Sequence, residues 1–378
     1  MKRAPLLVGM AVVALFLACK GGGEGHDSTV DTLPEDAVDT LPRSSITFIL
    51  GRDHYAYNQY YTLANHYYRL SADDRTDAVV DNLASLSQLL AYLNEHPDTL
   101  YRRPYGLINL VTHGNEFVDL QMTVTPRGQR ASATSLAQAL ADSLLPVLDS
   151  GIVDSHTIVH LHGCAVGNNQ ALLDRLAEAF GGEATVVASR LFEYYAYLSR
   201  NHNPQSVRHY YARTWYAFYH PDSATGEDFF VRQLQNRYPH DSVDWCTGLR
   251  RRFQSDPSEL YHFSFVVPCS HEELYEDPAV MPSVGTRKKR QQWVDSHADF
   301  RALMASTHIP QQYFQVKFYR QTYLQDDDRL LLGLKVKARA GVVCLIQPLV
   351  DPDTVGDPCV PLRPPLDDTT VFARSVLR

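Results

Sequence analysis

Two short motifs place a histidine and a cysteine where they could take part in covalent catalysis. His113-Gly114 ends one apolar run and Gly163-Cys164 ends another, with a spacing of 164 − 113 = 51 residues. A cysteine thiolate attacks carbonyl carbon, and a histidine can supply the proton that the departing group requires. The pair therefore predicts nucleophilic catalysis by the cysteine, with the histidine as the proton donor.

Both motifs follow segments with the character of buried parallel strands. Residues 106–112 and 158–162 are short apolar runs, and small residues and then helical spacing at 171–180 follow the second. Open α/β sheets place their chemistry at the carboxyl ends of such strands. We expect His113 and Cys164 to meet at that edge, where the following helix N-terminus would lower the pKa of the thiol.

The ordered pair resembles the caspase-like cysteine peptidases, the group that includes gingipains, clostripain, legumain, separase and metacaspases. The resemblance rests on 111–114 (Val-Thr-His-Gly) and 160–167 (His-Leu-His-Gly-Cys-Ala-Val-Gly), and it extends over residues 45–270. It implies an α/β fold, a three-layer sandwich with a mostly parallel central sheet flanked by helices. The residues before the cysteine are His-Gly instead of Gln-Ala or Glu-Ala, so the preferred substrate residue stays open.

The resemblance also implies a role for each residue of the site. Cys164 would attack the scissile carbonyl, and the backbone N–H groups of Gly114 and Cys164 would hold the oxyanion. His113 would protonate the leaving amine and then assist water in attacking the thioester. The implied enzyme is a cysteine endopeptidase that acts on a peptide or protein substrate and needs no cofactor.

The N-terminal residues predict a lipid anchor. Residues 1–18 comprise a basic start and an apolar stretch too short to span a bilayer, ending in Leu-Phe-Leu-Ala before Cys19. This pattern resembles a bacterial lipoprotein signal peptide, with Cys19 as the lipidated residue. Lys20 favours the outer membrane, so we expect a periplasmic or surface-exposed protein of the cell envelope. Residues 19–44 are Gly-rich and acidic and predict a flexible tether.

The rest of the chain predicts one large domain and a smaller region. Residues 45–275 form the expected caspase-like peptidase domain, and alternating polar and apolar residues within 285–378 predict a small C-terminal β-rich appendage. The basic run 287–290 falls near this boundary and is either a solvated face or a processing site. A net charge of −8 argues against a nucleic-acid partner.

Several elements follow from spacing alone. A strand is expected at 45–50, helices at 57–70 and 77–95, and no further strand before the histidine strand. Residues 261–267 are expected to be the last strand of the sheet. Short hairpin strands are expected at 116–125 and 130–133, and tyrosines cluster at 55–68, 194–197 and 210–219. The tyrosines indicate either core packing or an aromatic-walled cleft.

Two alternative functions stay open. His160, His162 and Cys164 alternate along one strand face, and with His113 nearby they could bind a metal, although the strong local metal signatures are absent. The other alternative is an inactive caspase-like fold that serves as a lipid-anchored binding module.

The other four cysteines are candidates for disulfides, because their number is even and the chain is expected to be exported. Pairing sequence neighbours would join Cys246 to Cys269 and Cys344 to Cys359. Free buried thiols are the alternative.

Overall fold

The strands of the protein belong to two β-sheets in a computed structural model that describes residues 42–53, 59–70, 76–95, 102–198, 203–252, 259–277, 279–324, 330–351 and 360–377. The strands are β1 (Ser45–Ile49), β2 (Ala78–Val80), β3 (Leu107–Val111), β4 (Ile158–His162), β5 (Thr185–Ser189), β6 (Phe192–Tyr197), β7 (Val207–Tyr219), β8 (Tyr261–Tyr275), β9 (Gln315–Leu324), β10 (Leu330–Pro348) and β11 (Phe372–Ser375). The helices are α1 (Tyr60–Leu70), α2 (Leu86–Glu95), α3 (Ala133–Ala141), α4 (Gln170–Ala179), α5 (Glu227–Arg237), α6 (Trp245–Arg250), α7 (Arg287–Ser296) and α8 (Ala298–Ala305).

The first sheet is the six-stranded sheet that carries the histidine and cysteine strands. Its strand order is β11-β5-β4-β3-β1-β2, and the strands from β5 to β2 run parallel, whereas β11 is antiparallel to β5. The order reverses between β1 and β3, which is the kind of switch point where open α/β sheets bind ligands. The predicted α/β class with a mostly parallel sheet is confirmed.

Successive residues of a strand point to opposite sides of the sheet, and in this sheet apolar side chains are buried on both sides. Phe48 packs with Leu89 in the larger core, which also contains apolar residues of α3 and α4. Its neighbour Ile49 instead packs with Tyr67 of α1 and Val207 of β7. Three helices therefore cover one face, whereas α1 and the second sheet cover the other.

Helix α2 illustrates how the larger core is filled. Its apolar positions Leu86, Leu89, Leu90 and Leu93 have the spacing of one helix face, and none of them exposes any surface. Burying each leucine contributes about 1.5–3 kcal/mol before conformational entropy is counted. This apolar stripe fixes α2 against the sheet.

The second sheet has the order β6-β7-β10-β8, with β9 also paired to β10, and all of its pairs are antiparallel. It corrects the predicted separate appendage at 285–378, because β9 and β10 pair within the same sheet as β7 and β8, and β11 completes the first sheet. It also corrects the placement of 261–267, which lie in β8 and not in the first sheet. Alternation along a strand indicates one buried face but does not specify the partner strand.

Other boundaries also differ from the predictions. The segment 77–95 was predicted to be a single helix, but it contains β2 and then α2. Strand β2 was not predicted, because a three-residue edge strand is too short to show a period. The expected hairpin strands at 116–125 and 130–133 are reduced to isolated bridges, such as Thr123 with Arg130. The basic run 287–290 is the exposed first turn of α7.

The predicted tether ends earlier than residue 44. Arg43 pairs with Asp154 through two hydrogen bonds of 2.9 and 2.8 Å, and Ser44 is buried. Residues 1–41 lie outside the described residues, so the signal peptide and the lipidation of Cys19 stay predictions. In the described ranges, no helix has both the length and the apolar character needed to cross a bilayer.

Candidate functional site

The pairing of β3 with β4 brings the predicted histidine and cysteine to the same level. Val111 is the register partner of His162, and His113 and Cys164 each follow two residues further along. The chain segments stay in contact beyond the strands, because the Cys164 N–H donates to the Gly114 carbonyl at 3.0 Å. The two motifs therefore meet at the carboxyl edge of the sheet, as predicted from their positions in the sequence.

The turn after the cysteine is tight. Ala165 adopts the left-handed region with φ of 56°, and its N–H donates to the Leu191 carbonyl at 2.9 Å. A single turn of 3₁₀-helix follows, and α4 begins only at Gln170, where Asn169 Oδ1 accepts the N–H of Leu172. The prediction that a helix N-terminus lies at the thiol is therefore wrong, because α4 begins beyond this turn.

Cys164 itself is held in a closed arrangement. Its side chain is buried, and the thiol donates to the Glu193 carbonyl at 3.2 Å. Burial raises the pKa of the Cys164 thiol well above its ordinary value, and the charge of Glu193 raises it further. The expected lowering of this pKa is corrected accordingly: the thiol is protonated at neutral pH.

The predicted oxyanion hole is not assembled in this arrangement. It requires the N–H groups of Gly114 and Cys164 to point at one substrate oxygen. The N–H of Cys164 is instead occupied by the carbonyl of Gly114, so one of the two donors is engaged within the protein. Gly114 has a tight environment of its own, because a Cβ there would lie 2.6 Å from Leu120 Cδ2.

His113 is half-buried between two tyrosines at the start of α1. Its ring stacks on Tyr60 with ring centroids 4.4 Å apart and meets the edge of Tyr61 at 4.8 Å. The Tyr61 hydroxyl accepts the backbone N–H of His113 at 2.8 Å and donates to Gln121 Oε1 at 3.1 Å. The tyrosine-rich segment 55–68 was the sequence signal for this arrangement, but the pattern did not indicate which tyrosines contact the histidine.

A group of buried polar side chains lies beside the cysteine on the face of the sheet that β6 and β7 cover. We call it the Glu193 cluster; its members are His160, His162, Glu193 and His209, and each exposes less than a tenth of its surface. Glu193 Oε2 lies 2.8 Å from His162 Nδ1 and 3.0 Å from His209 Nε2. Burial raises the pKa of Glu193, although His209 opposes this, and burial lowers the pKa of His160 well below its ordinary value.

The Glu193 cluster changes the predicted metal alternative. Among the described residues, His160, His162 and Glu193 offer ligand atoms that all lie within 4.8 Å of one another. Cys164 and His113, which completed the predicted set, do not belong to this group. The sequence did not predict Glu193 as a member of this group, because a single glutamate in a tyrosine-rich strand has no local signature of burial.

The predicted disulfide between Cys246 and Cys269 is wrong, since both are free thiols. Cys246 is exposed at the start of α6, whereas Cys269 lies buried in β8. Cys344 is also a free buried thiol, within β10, and its predicted partner Cys359 lies outside the described residues.

Comparison with known proteins gives no match: no protein-family model, no curated protein and no solved structure is similar to the chain. What the site can do therefore has to be inferred from its own geometry.

Proposed function

We propose that the chain is a cysteine endopeptidase with a caspase-like fold, in which Cys164 is the nucleophile and His113 the proton donor. The observation that carries the proposal is the register of β3 with β4, in which Val111 is paired with His162. His113 and Cys164 each lie two residues beyond this pair, and both are therefore at the carboxyl edge of the sheet. The mostly parallel sheet and its switch point between β1 and β3 support it further.

The proposed reaction proceeds through a thioester. The Cys164 thiol gives its proton to His113 and the sulfur attacks the scissile carbonyl carbon, so that a C–S bond forms and the carbonyl oxygen becomes an oxyanion. The C–N bond then breaks as His113 gives a proton to the departing amine. Water, deprotonated with the help of His113, displaces the sulfur and releases the new carboxyl group, and the thiol regains its proton.

This chemistry requires local rearrangement at the cysteine. The substrate oxygen has to replace the Gly114 carbonyl as the acceptor of the Cys164 N–H, and the thiol has to leave the Glu193 carbonyl. Since burial holds the thiol protonated, we propose that substrate binding or an activating event opens this turn. The expected consequence is slow reaction with iodoacetamide and faster reaction with a peptide-based electrophile that occupies the cleft.

The test is hydrolysis of a fluorogenic peptide library by the purified protein. Cys164→Ala is expected to abolish cleavage while the protein keeps its unfolding midpoint within a few degrees. The matched control is Cys246→Ala, which removes an exposed thiol at the start of α6 and is expected to leave activity unchanged. Undiminished hydrolysis by Cys164→Ala would refute the mechanism.

A second candidate function is an inactive caspase-like binding module. The observation in its favour is the closed cysteine, whose N–H and S–H groups both donate within the protein. In that case neither the peptide library nor peptide-based electrophiles react at Cys164 under any condition that leaves the protein folded. Labelling of Cys164, identified by mass spectrometry, would exclude this alternative.

We also propose that the protein is a lipoprotein of the outer membrane, attached through Cys19. Cys19→Ser is expected to release the protein from membranes or to leave residues 1–18 uncleaved. A processed form without lipid that still sediments with membranes would refute the anchor.

A further inference from the structure

Within the part of the chain that the structure describes, two buried atoms of the Glu193 cluster have no hydrogen-bond partner. They are Nε2 of His160 and Oε1 of Glu193. A buried polar atom without a partner costs about 1–3 kcal/mol, so two of them in one group call for a physical explanation. Both belong to the three residues whose ligand atoms lie within 4.8 Å of one another, and a single cation among them would satisfy both atoms.

The third residue of this group, His162, has its ring orientation fixed from the other side. Asn109 Nδ2 donates to Thr47 Oγ1 at 3.0 Å, which turns Asn109 Oδ1 toward His162 Nε2 at 3.2 Å. The Tyr68 hydroxyl lies 2.9 Å from the same Nε2, so this nitrogen has a polar neighbour on each of two elements and the ring is fixed with either tautomer. On the other side of the ring, Nδ1 lies 2.8 Å from Glu193 Oε2 and is the nitrogen of His162 that faces the carboxylate.

We propose that His160, His162 and Glu193 bind a divalent transition-metal ion, with zinc as the first candidate. Two imidazole nitrogens and a carboxylate oxygen form a ligand set that suits zinc, and a water molecule would take the fourth position. Ligand–zinc distances of about 2.0–2.1 Å correspond to ligand separations of roughly 3.4 Å. The side chains therefore have to close by no more than about 1.4 Å from the observed limit of 4.8 Å.

The surroundings provide the support that metal ligands usually have. The second ring nitrogen of a histidine ligand typically bonds to a neighbouring polar group, and Asn109 Oδ1 lies 3.2 Å from His162 Nε2. Ligating carboxylates are themselves hydrogen-bonded, as Glu193 is with His209. The ion would join β4 to β6 directly below the Cys164 turn. This site goes beyond the proposed peptidase function and does not depend on it.

The experiment measures metal binding and stability in the full chain. Protein stripped with chelator, incubated with zinc and freed of excess metal by gel filtration is expected to retain about one ion per chain. Its unfolding temperature is expected to rise by several degrees over the chelated form. Cobalt, used as a spectroscopic substitute for zinc, is expected to give visible absorption bands of a four-coordinate site.

Variants assign the ligands. Glu193→Gln and His160→Gln are each expected to weaken zinc binding at least about tenfold. His156→Gln removes an exposed histidine that precedes β4 and lies outside the cluster, and it is expected to leave binding unchanged. Cys164→Ala is expected to retain the ion, which separates this site from the thiol and from peptidase activity.

Three results would overturn the proposal. In the first, the wild-type protein retains no zinc and unfolds at the same temperature with zinc and with chelator; the cluster is then held by a shared proton or by water. In the second, zinc is lost in Cys164→Ala, which assigns binding to the thiol. In the third, both ligand variants keep full affinity, which places the ion elsewhere. The wild-type measurement stands even where a variant does not fold.

Discussion

Gly167 is the position where the packing of the cysteine turn can be tested most directly. An added Cβ at Gly167 would lie 2.4 Å from the Ala188 carbonyl oxygen and 2.7 Å from the Ser189 carbonyl carbon. Both atoms belong to the backbone of β5, which is held between β4 and β11 and cannot move aside as a flexible side chain could. Gly167→Ala therefore forces the turn that follows Cys164 away from the sheet.

The magnitude follows from comparison with two other glycines. Inserting a methyl group into a closely packed site costs about 1–3 kcal/mol, and we expect Gly167→Ala to lie in the upper half of that range. At Gly114 the nearest atom is the end of the Leu120 side chain, which can rotate away in part, so about 1 kcal/mol is expected. At Gly285 no atom of the described residues lies within 4 Å of an added Cβ, and the change is expected to stay within about 0.5 kcal/mol.

The assay is urea unfolding of the three variants beside the wild-type protein. Replacing glycine by alanine also stiffens the unfolded chain, by about 0.4–1 kcal/mol, but this contribution is shared by all three and cancels in the comparison. The free energy of unfolding should be highest for Gly285→Ala, intermediate for Gly114→Ala and lowest for Gly167→Ala. If Gly167→Ala is no less stable than Gly285→Ala, the described packing of the turn on β5 is incorrect.

Two further changes test the surroundings of the site. Tyr61→Phe removes the hydroxyl that accepts the N–H of His113, so urea unfolding should show a loss of about 1–3 kcal/mol, and an unchanged midpoint would contradict this contact. Burial opposes ionisation of Asp154, but the hydrogen bonds from Arg43 outweigh it and lower the pKa of the carboxyl. The stabilisation is therefore fully present above the ordinary aspartate pKa of about 3.9 and is lost as the pH falls through the lower folded-state value. Asp154→Asn should cost about 1 kcal/mol at pH 7, measured by urea unfolding, and a difference from wild type that does not shrink below pH 4 would contradict the pairing.

The first sheet could be predicted from the sequence because its signals are local. The segments before His113 and Cys164 are short, mostly apolar and followed by small residues, which is typical of strands buried on both faces. Their order in the chain and their shared termination in His-Gly and Gly-Cys then placed the two residues at one edge. The register of β3 with β4 agrees with that placement.

The second sheet and the chemical state of the cysteine could not be predicted in the same way. Strands β6 and β7 are rich in tyrosine and pair with each other, and the pairing of β7 with β10 joins segments that are far apart in the chain. The hydrogen bond from the Cys164 N–H to the Gly114 carbonyl is a property of backbone geometry, and no residue pattern indicates it. The buried position of Glu193 likewise depends on the second sheet covering the first, and so it became visible only in three dimensions.

The antiparallel edge strand β11 has a consequence for how the protein is made. Strand β5 lies next to the cysteine strand, yet its outer hydrogen-bonding edge is covered only when Phe372–Ser375 arrives. A nascent chain that has not reached this segment presents an open strand edge, which can pair with other chains. Pairings between such distant segments also slow folding. Truncated forms of the protein that end before β11 are therefore expected to aggregate. The first sheet, which carries Cys164, can be completed only after β11 has been synthesised.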